Sequence, residues 1–225
     1  MAAVIALEVV PPVVAVLVAA GSTGINTFFK FYFYQRIGNK MKKQLLALLC
    51  SSVLFSPLAL AHSLKLDQML PQTSVSEAGE ITLKGQDTAY QQWHSSALSG
   101  KVRIVHHLAG RSAAKEKNQA VIDAIKAAHF NQQQYQTTTI INADDAIVGT
   151  GMFVKSSAEK GKKENPHSQV VLDDNSTVKK AWGLKEKESA IIVLDKSGKV
   201  KFVKEGKLSS DEITQVIQLT KQLLQ

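Results

Sequence analysis

The stretch GKVRIVHHLAGRSAAKEKNQAVIDAIKAA, residues 100–128, decides the fold. Lys101–Leu108 alternates as a strand, with Val102, Ile104 and His106 on one face and Arg103, Val105 and His107 on the other. Gly110-Arg111-Ser112 makes a turn. The spacing of Val121, Ile122, Ile125 and Ala128 predicts one helix running to about Ala128. Thr137–Asn142 (TTTIIN) reads as a second strand, and Asp144 or Asp145 is placed to cap a helix ending before Pro166. Asp173-Asp174-Asn175 has a turn composition between Gln169–Leu172 and Thr177–Trp182, with Gly183 closing the unit. Ala190–Leu194 (AIIVL) is all apolar, as a strand buried on both faces requires. Asp195-Lys196-Ser197-Gly198 turns into Val200–Val203, and Ser209 with Glu212 forms a capping box ahead of a helix through Leu224. Upstream, between His62 and Gly100, a Glu77-Ala78-Gly79-Glu80 turn ahead of Ile81-Thr82-Leu83 predicts a short hairpin. Strand–helix–strand–helix, then a hairpin and a final helix, defines a three-layer α/β domain.

Composition bounds the chemistry. The 225 residues are 44% hydrophobic and 20% charged, which excludes disorder and low complexity. The net charge is +8, but residues 62–225 carry only +4 of it, too mild a surplus for a nucleic-acid partner. The single cysteine, Cys50, excludes an internal disulfide framework and a CxxC pair. It lies within residues 41–61, MKKQLLALLCSSVLFSPLALA, which carry every part of a secretory signal peptide. Lys42 and Lys43 form the positive end, Leu45 to Phe55 the apolar run, and Ala59-Leu60-Ala61 the cleavage site. Cleavage before His62 is expected, leaving an exported mature chain with no thiol and no stable membrane span. Residues 1–40 are read as an upstream extension not normally made. The alternative is a membrane segment, because residues 1–20 are nearly apolar apart from Glu8 and Pro11-Pro12.

Three segments resemble periplasmic thioredoxin-like and peroxiredoxin-like proteins: residues 100–128, SQVVLDDNSTVKKAWGL (168–184) and ESAIIVLDKSGKVKFVKEG (188–206). More closely, HHLAGRSAAKEKN, QTTTIINADDA, GTGMFVKSS and AIIVLDKSGKV together resemble the YtfJ family of Gram-negative periplasmic proteins. The resemblance implies a three-layer α/β/α thioredoxin-like fold over residues 62–225, with an N-terminal β-hairpin extension, and an unsettled activity. It also implies that Ser112 and Lys115 stand where redox thioredoxins carry their two cysteines, and that Ser189 falls near their cis-proline. A serine hydroxyl with no adjacent base replaces neither a dithiol nor an activated nucleophile. Thiol–disulfide exchange is therefore not expected.

Several residue groups are candidates for a site. The turn Gly110, Arg111, Ser112 with Lys115 and Lys117 opens a helix with positive charge, an arrangement that suits an anionic ligand or partner segment. The plainer account makes Ser112 an N-cap and the cations a solvated first turn. Metal handling is the alternative: His62 at the mature N-terminus, with His106 or His107, would offer amine and imidazole nitrogen to copper or zinc. The plainer account there is a pair of histidines hydrogen-bonded in the sheet layers, since no HxxxH spacing exists. Ser112-Ala-Ala-Lys115 with Lys196-Ser197-Gly198 imitates the S-x-x-K and K-T-G elements of penicillin-binding proteins, but the middle element is missing. An enzyme built on Ser112, His107 and Lys115 ranks last, because no base–orienter pair is visible. Trp93, Trp182, Phe153 and Phe202 are expected to pack core edges or a hairpin.

Overall fold

The computed structural model describes residues 62–225; the expectations for residues 1–40, for the signal peptide at 41–61 and for Cys50 lie outside the described residues. In chain order the elements are β1 (Ser74–Lys84), β2 (Asp87–His94), β3 (Val102–Ala109), α1 (Ser112–Lys117), α2 (Gln119–Ala127), β4 (Tyr135–Asn142), α3 (Gly151–Glu164), β5 (Gln169–Asp173), α4 (Thr177–Trp182), β6 (Ser189–Leu194), β7 (Val200–Glu205) and α5 (Ser210–Leu223). They form a seven-stranded sheet of order β2-β1-β5-β4-β3-β6-β7, in which β3, β4 and β5 are parallel and the outer pairs antiparallel.

Two right-handed crossovers in the same direction, β3 to β4 and β4 to β5, put α2 and α3 on one face of the sheet. There Val102 and Ile104 pack with Val121 and Ile125 of α2 and Val216 of α5, while Val170 and Leu172 pack with Ala158 of α3. On the opposite face Val105, Ile140 and Val171 pack against Val178 and Trp182 of α4. The segment ahead of β1 completes that layer, Leu64 and Leu70 joining the same core. Trp182 Nε1 donates to the Pro71 carbonyl at 3.0 Å, and Asp67 and Gln68 of the segment exchange backbone hydrogen bonds with Val200 of β7. Every position of β6 is buried, as its all-apolar run requires.

Four local expectations are corrected. Ala78-Gly79 is not the hairpin turn: both residues have positive φ inside β1, where the register against β2 shifts between Val75 and Glu80, and the strands reverse after Lys84 instead. A bulge uses the same left-handed backbone as a turn, so the glycine was legible and its role was not. The predicted single helix to Ala128 breaks at Asn118, whose side chain leaves the helix to bond elsewhere. Asp144 and Asp145 do not cap α3, which starts at Gly151 behind Thr150; they lie in a short 3-10 turn. Phe153 does not pack the core but is 75% exposed, whereas Trp93 and Trp182 are fully buried. The Ser209–Glu212 capping box is present with both reciprocal bonds.

Candidate functional site

β3 leads straight into the Gly110–Ser112 turn. Gly110 passes so close to α3 that an added Cβ would lie 3.1 Å from both the Asn142 carbonyl and Val154 Cγ1, which is why no side chain stands there. Arg111 occupies the N-cap of α1 without a side-chain cap, and Ser112 is the first helical residue, not the cap. Arg111 Nε donates to the Asp145 carbonyl at 2.5 Å, which holds the guanidinium over the turn. Lys117, counted with the cationic group in the sequence, turns away and pairs with Glu188 at 2.5 Å. Gly110, Arg111, Ser112 and Lys115 do come together: they form one end of a cleft of about 590 Å³ between α2 and α3, which His106 also lines.

The two histidines diverge because neighbouring strand residues face opposite sides. His106 faces the α2 side and lies 2.8 Å through Nε2 from Ser189 Oγ. Asn118 Nδ2 donates to the same Ser189 oxygen at 2.9 Å and to the Gly206 carbonyl at 3.0 Å, and Asn118 Oδ1 accepts from Leu208 N. This network is what breaks the helix: a buried amide with three hydrogen bonds outweighs one turn of helical bonding. Burial pushes the His106 ring down to about 4, with the neighbouring His107 acting in the same direction. His106 is thus a neutral, hydrogen-bonded floor residue.

His107 faces α4. Its ring is also held down at about 4, chiefly by burial; Asp145 opposes that shift and Lys179 adds to it. Asp145 and Lys179 are both buried and paired at 2.8 Å, and Asp145 Oδ2 also accepts from Lys187 N at 3.1 Å. Asp145 therefore joins the turn after β3, helix α4 and the loop before β6. Nearby, Ser176 Oγ donates to Asn142 Oδ1 or Asp144 Oδ2, at 3.1 and 2.7 Å. Sequence reading missed this hub. The one signal was Lys179 standing three residues before Trp182, on the same face of a short helix as a buried tryptophan.

His106 and His107 lie on opposite faces, His62 Nδ1 lies 3.1 Å from the Leu64 carbonyl, and among the described residues no three His, Cys, Asp or Glu side chains group to hold a metal ion. His94, His129 and His167 are exposed. The Lys196-Ser197-Gly198 element is a hairpin turn, with Asp195 Oδ1 accepting from the Ser197 and Lys199 amides.

A strand running into a turn and a long helical region, with Ser189 opening the antiparallel strand opposite Leu108, is the frame of a thioredoxin-like domain. The solved structures agree. A candidate thiol:disulfide interchange protein DsbE from Chlorobium tepidum superposes with a TM-score of 0.51 at 14% identity, covering 72% of this chain and 100% of that one. A candidate protein disulfide isomerase from Bacteroides thetaiotaomicron gives 0.50 at 17% identity, covering 72% and 92%. At those identities the likeness establishes the fold alone. The chain belongs to the YtfJ family, described as bacterial proteins of unknown function, which it matches over residues 64–223. An uncharacterized protein of Haemophilus influenzae is 70% identical over 80% of this chain and 97% of its own length. The Escherichia coli protein YtfJ is 45% identical over 81% of this chain and 98% of its own. Among the described residues no helix is long and apolar enough to cross a membrane.

Proposed function

We propose that this protein is an exported periplasmic binding or accessory module that holds an anionic ligand or partner segment at the Gly110–Lys115 turn, without thiol–disulfide chemistry. The observation that carries this reading is the convergence of Arg111, Ser112 and Lys115 on one end of a single cleft. Residues 62–225 contain no cysteine, so the position used for redox chemistry elsewhere in this fold offers a hydroxyl and cations instead. Arg111 is well suited to an anion because its Nε is committed to the Asp145 carbonyl, while its outer guanidinium nitrogens have no hydrogen-bond partner among the described residues. The export assignment rests on the signal-peptide pattern at 41–61.

Backbone amide spectra recorded during titration with acetate and with inorganic phosphate test the reading. Shifts clustered at residues 110–115 are expected, and they should vanish in Arg111→Ala/Lys115→Ala. Shifts that persist unchanged in the double variant would remove the turn from the function. Copper and zinc handling through His62 with His106 or His107 is not favoured by any observation of the site. Saturable Cu(II) binding lost in His62→Ala would restore it.

A further inference from the structure

β4 is the fourth of seven strands, the position in a sheet where both faces are ordinarily covered. Yet Thr137, Thr139 and Ile141, its residues on the α2–α3 side, are only half-buried. The two helices straddle β4 rather than close over it, and the cleft of about 590 Å³ is the space between them. That volume falls among the roughly 300–1,000 Å³ of small-molecule sites. Its walls are Ile122 and Ile125 from α2 and Val154 and Ala158 from α3. From Thr137 to Ile141 the floor runs four strand steps, about 13 Å, the reach of an extended medium-length hydrocarbon chain. Thr137 Oγ1 is already bonded to Tyr135 Oη at 2.9 Å, so part of the floor's polarity is satisfied within the protein.

The two ends differ. Lys126 and Glu164, of opposite charge, line the far end, where Glu164 lies 3.8 Å from Lys160, whereas Arg111 and Lys115 stand together at the turn. Beside those cations the surface is apolar: of the six exposed large hydrophobic residues among those described, four are Ile147, Val148, Met152 and Phe153. Ile147 and Phe153 line the cleft itself, at 57% and 75% exposure. Such an apolar patch against paired cations calls for a ligand carrying both characters.

We infer that the cleft binds a single-chain anionic amphiphile of the fatty-acid type, its carboxylate at Arg111 and Lys115 and its hydrocarbon chain along β4 between α2 and α3. This rests on the reading of the turn as an anion site and adds the class of ligand. The chain covers the open face of β4 and the rings and side chains at the mouth, while the head stays in reach of both cations and of water.

Calorimetric titration of the full-length protein at pH 7 with dodecanoate, dodecanol and acetate, each below aggregation, tests it. Dodecanoate should bind one per chain and at least about tenfold tighter than acetate, since burying several methylenes is worth well over a factor of ten, and tighter than dodecanol, which lacks the charge that Arg111 and Lys115 meet. Thr139→Phe, which fills the floor, should weaken dodecanoate about tenfold or more and leave acetate unchanged. Ser157→Phe, at an exposed position of the α3 wall, repeats that test should the first variant fold poorly. Arg111→Ala/Lys115→Ala should weaken both carboxylates. Dodecanoate binding no tighter than acetate overturns the amphiphile while leaving the anion turn standing. Dodecanol binding as tight as dodecanoate, unmoved by the double variant, overturns both. Attachment to phosphatidylglycerol vesicles without dodecanoate binding, or a dimer whose interface covers Phe153, replaces the amphiphile with a membrane surface or a second copy.

Discussion

Lowering the pH from 7 to 5 should strip this fold of stability through His106 and His107. Both rings are buried, at 4% and 2% exposure, and both are held near 4 chiefly by loss of solvent. In the unfolded chain each returns to about 6.5. At pH 5 the unfolded rings are therefore mostly protonated while the folded ones remain neutral, so protons are taken up on unfolding and stability falls as pH falls. The window runs from about 6.5 down to about 4, and the stability is fully present above it. Each ring contributes a loss of about 2 kcal/mol between pH 7 and 5, or about 4 kcal/mol for the pair. With a urea slope of about 2 kcal/mol/M, the midpoint should drop by about 2 M. The groups facing His107 are Asp145 and Lys179; carboxylates take up protons only near about 4, below the range from pH 7 to 5 used here. Urea melts at pH 7, 6 and 5 give the slope directly. His107→Gln should halve the pH dependence, and adding His106→Asn should abolish it. An unchanged slope in the double variant would refute the argument that these rings are buried and neutral.

Two further perturbations address the packing around the site. Lys179→Met leaves the Asp145 carboxylate buried without its cation and should cost about 3–5 kcal/mol, while Lys179→Met/Asp145→Asn should recover a substantial part. Urea melts of both variants at pH 7 decide it, and equal losses would show that the ion pair is not the cause. Gly79→Ala should cost about 2–4 kcal/mol, because φ is +79° and the new Cβ would run into the Gln91 carbonyl of β2. Hydrogen exchange should then accelerate in β1 and β2 and leave β3 and β6 protected.

The register of β3 shows how far reading along the chain reaches. Alternation in KVRIVHHL put His106 and His107 on opposite faces, and the structure agrees. The turn residues Gly110, Arg111, Ser112 and Lys115 were also visible as a group, because they are neighbours in sequence. Arg103 was placed on the correct face, but its three acceptors on β4 and β5, Gln136, Thr138 and Gln169, were not foreseen. The break at Asn118 was hidden because its partners, Ser189 and the Gly206 carbonyl, lie 71 and 88 residues away. Asp145 looked like a helix cap because caps are the local use of aspartate; its actual partner Lys179 stands 34 residues on.

Residue patterns alone determined strands β3, β4, β6 and β7, helix α5 with its capping box, the cationic turn and the absence of cysteine after residue 61, since each depends on residue identity or on spacings of a few residues. Tertiary structure decided the rest: that the turn opens into a cleft, that α2 and α3 leave the central strand half-covered, and that Asp145, Lys179 and His107 meet beneath α4. The division has a physical cause. Backbone periodicity and local hydrogen bonding act between chain neighbours, whereas burial and the pairing of buried charge are settled only when distant segments compete for the same volume and the same exclusion of water.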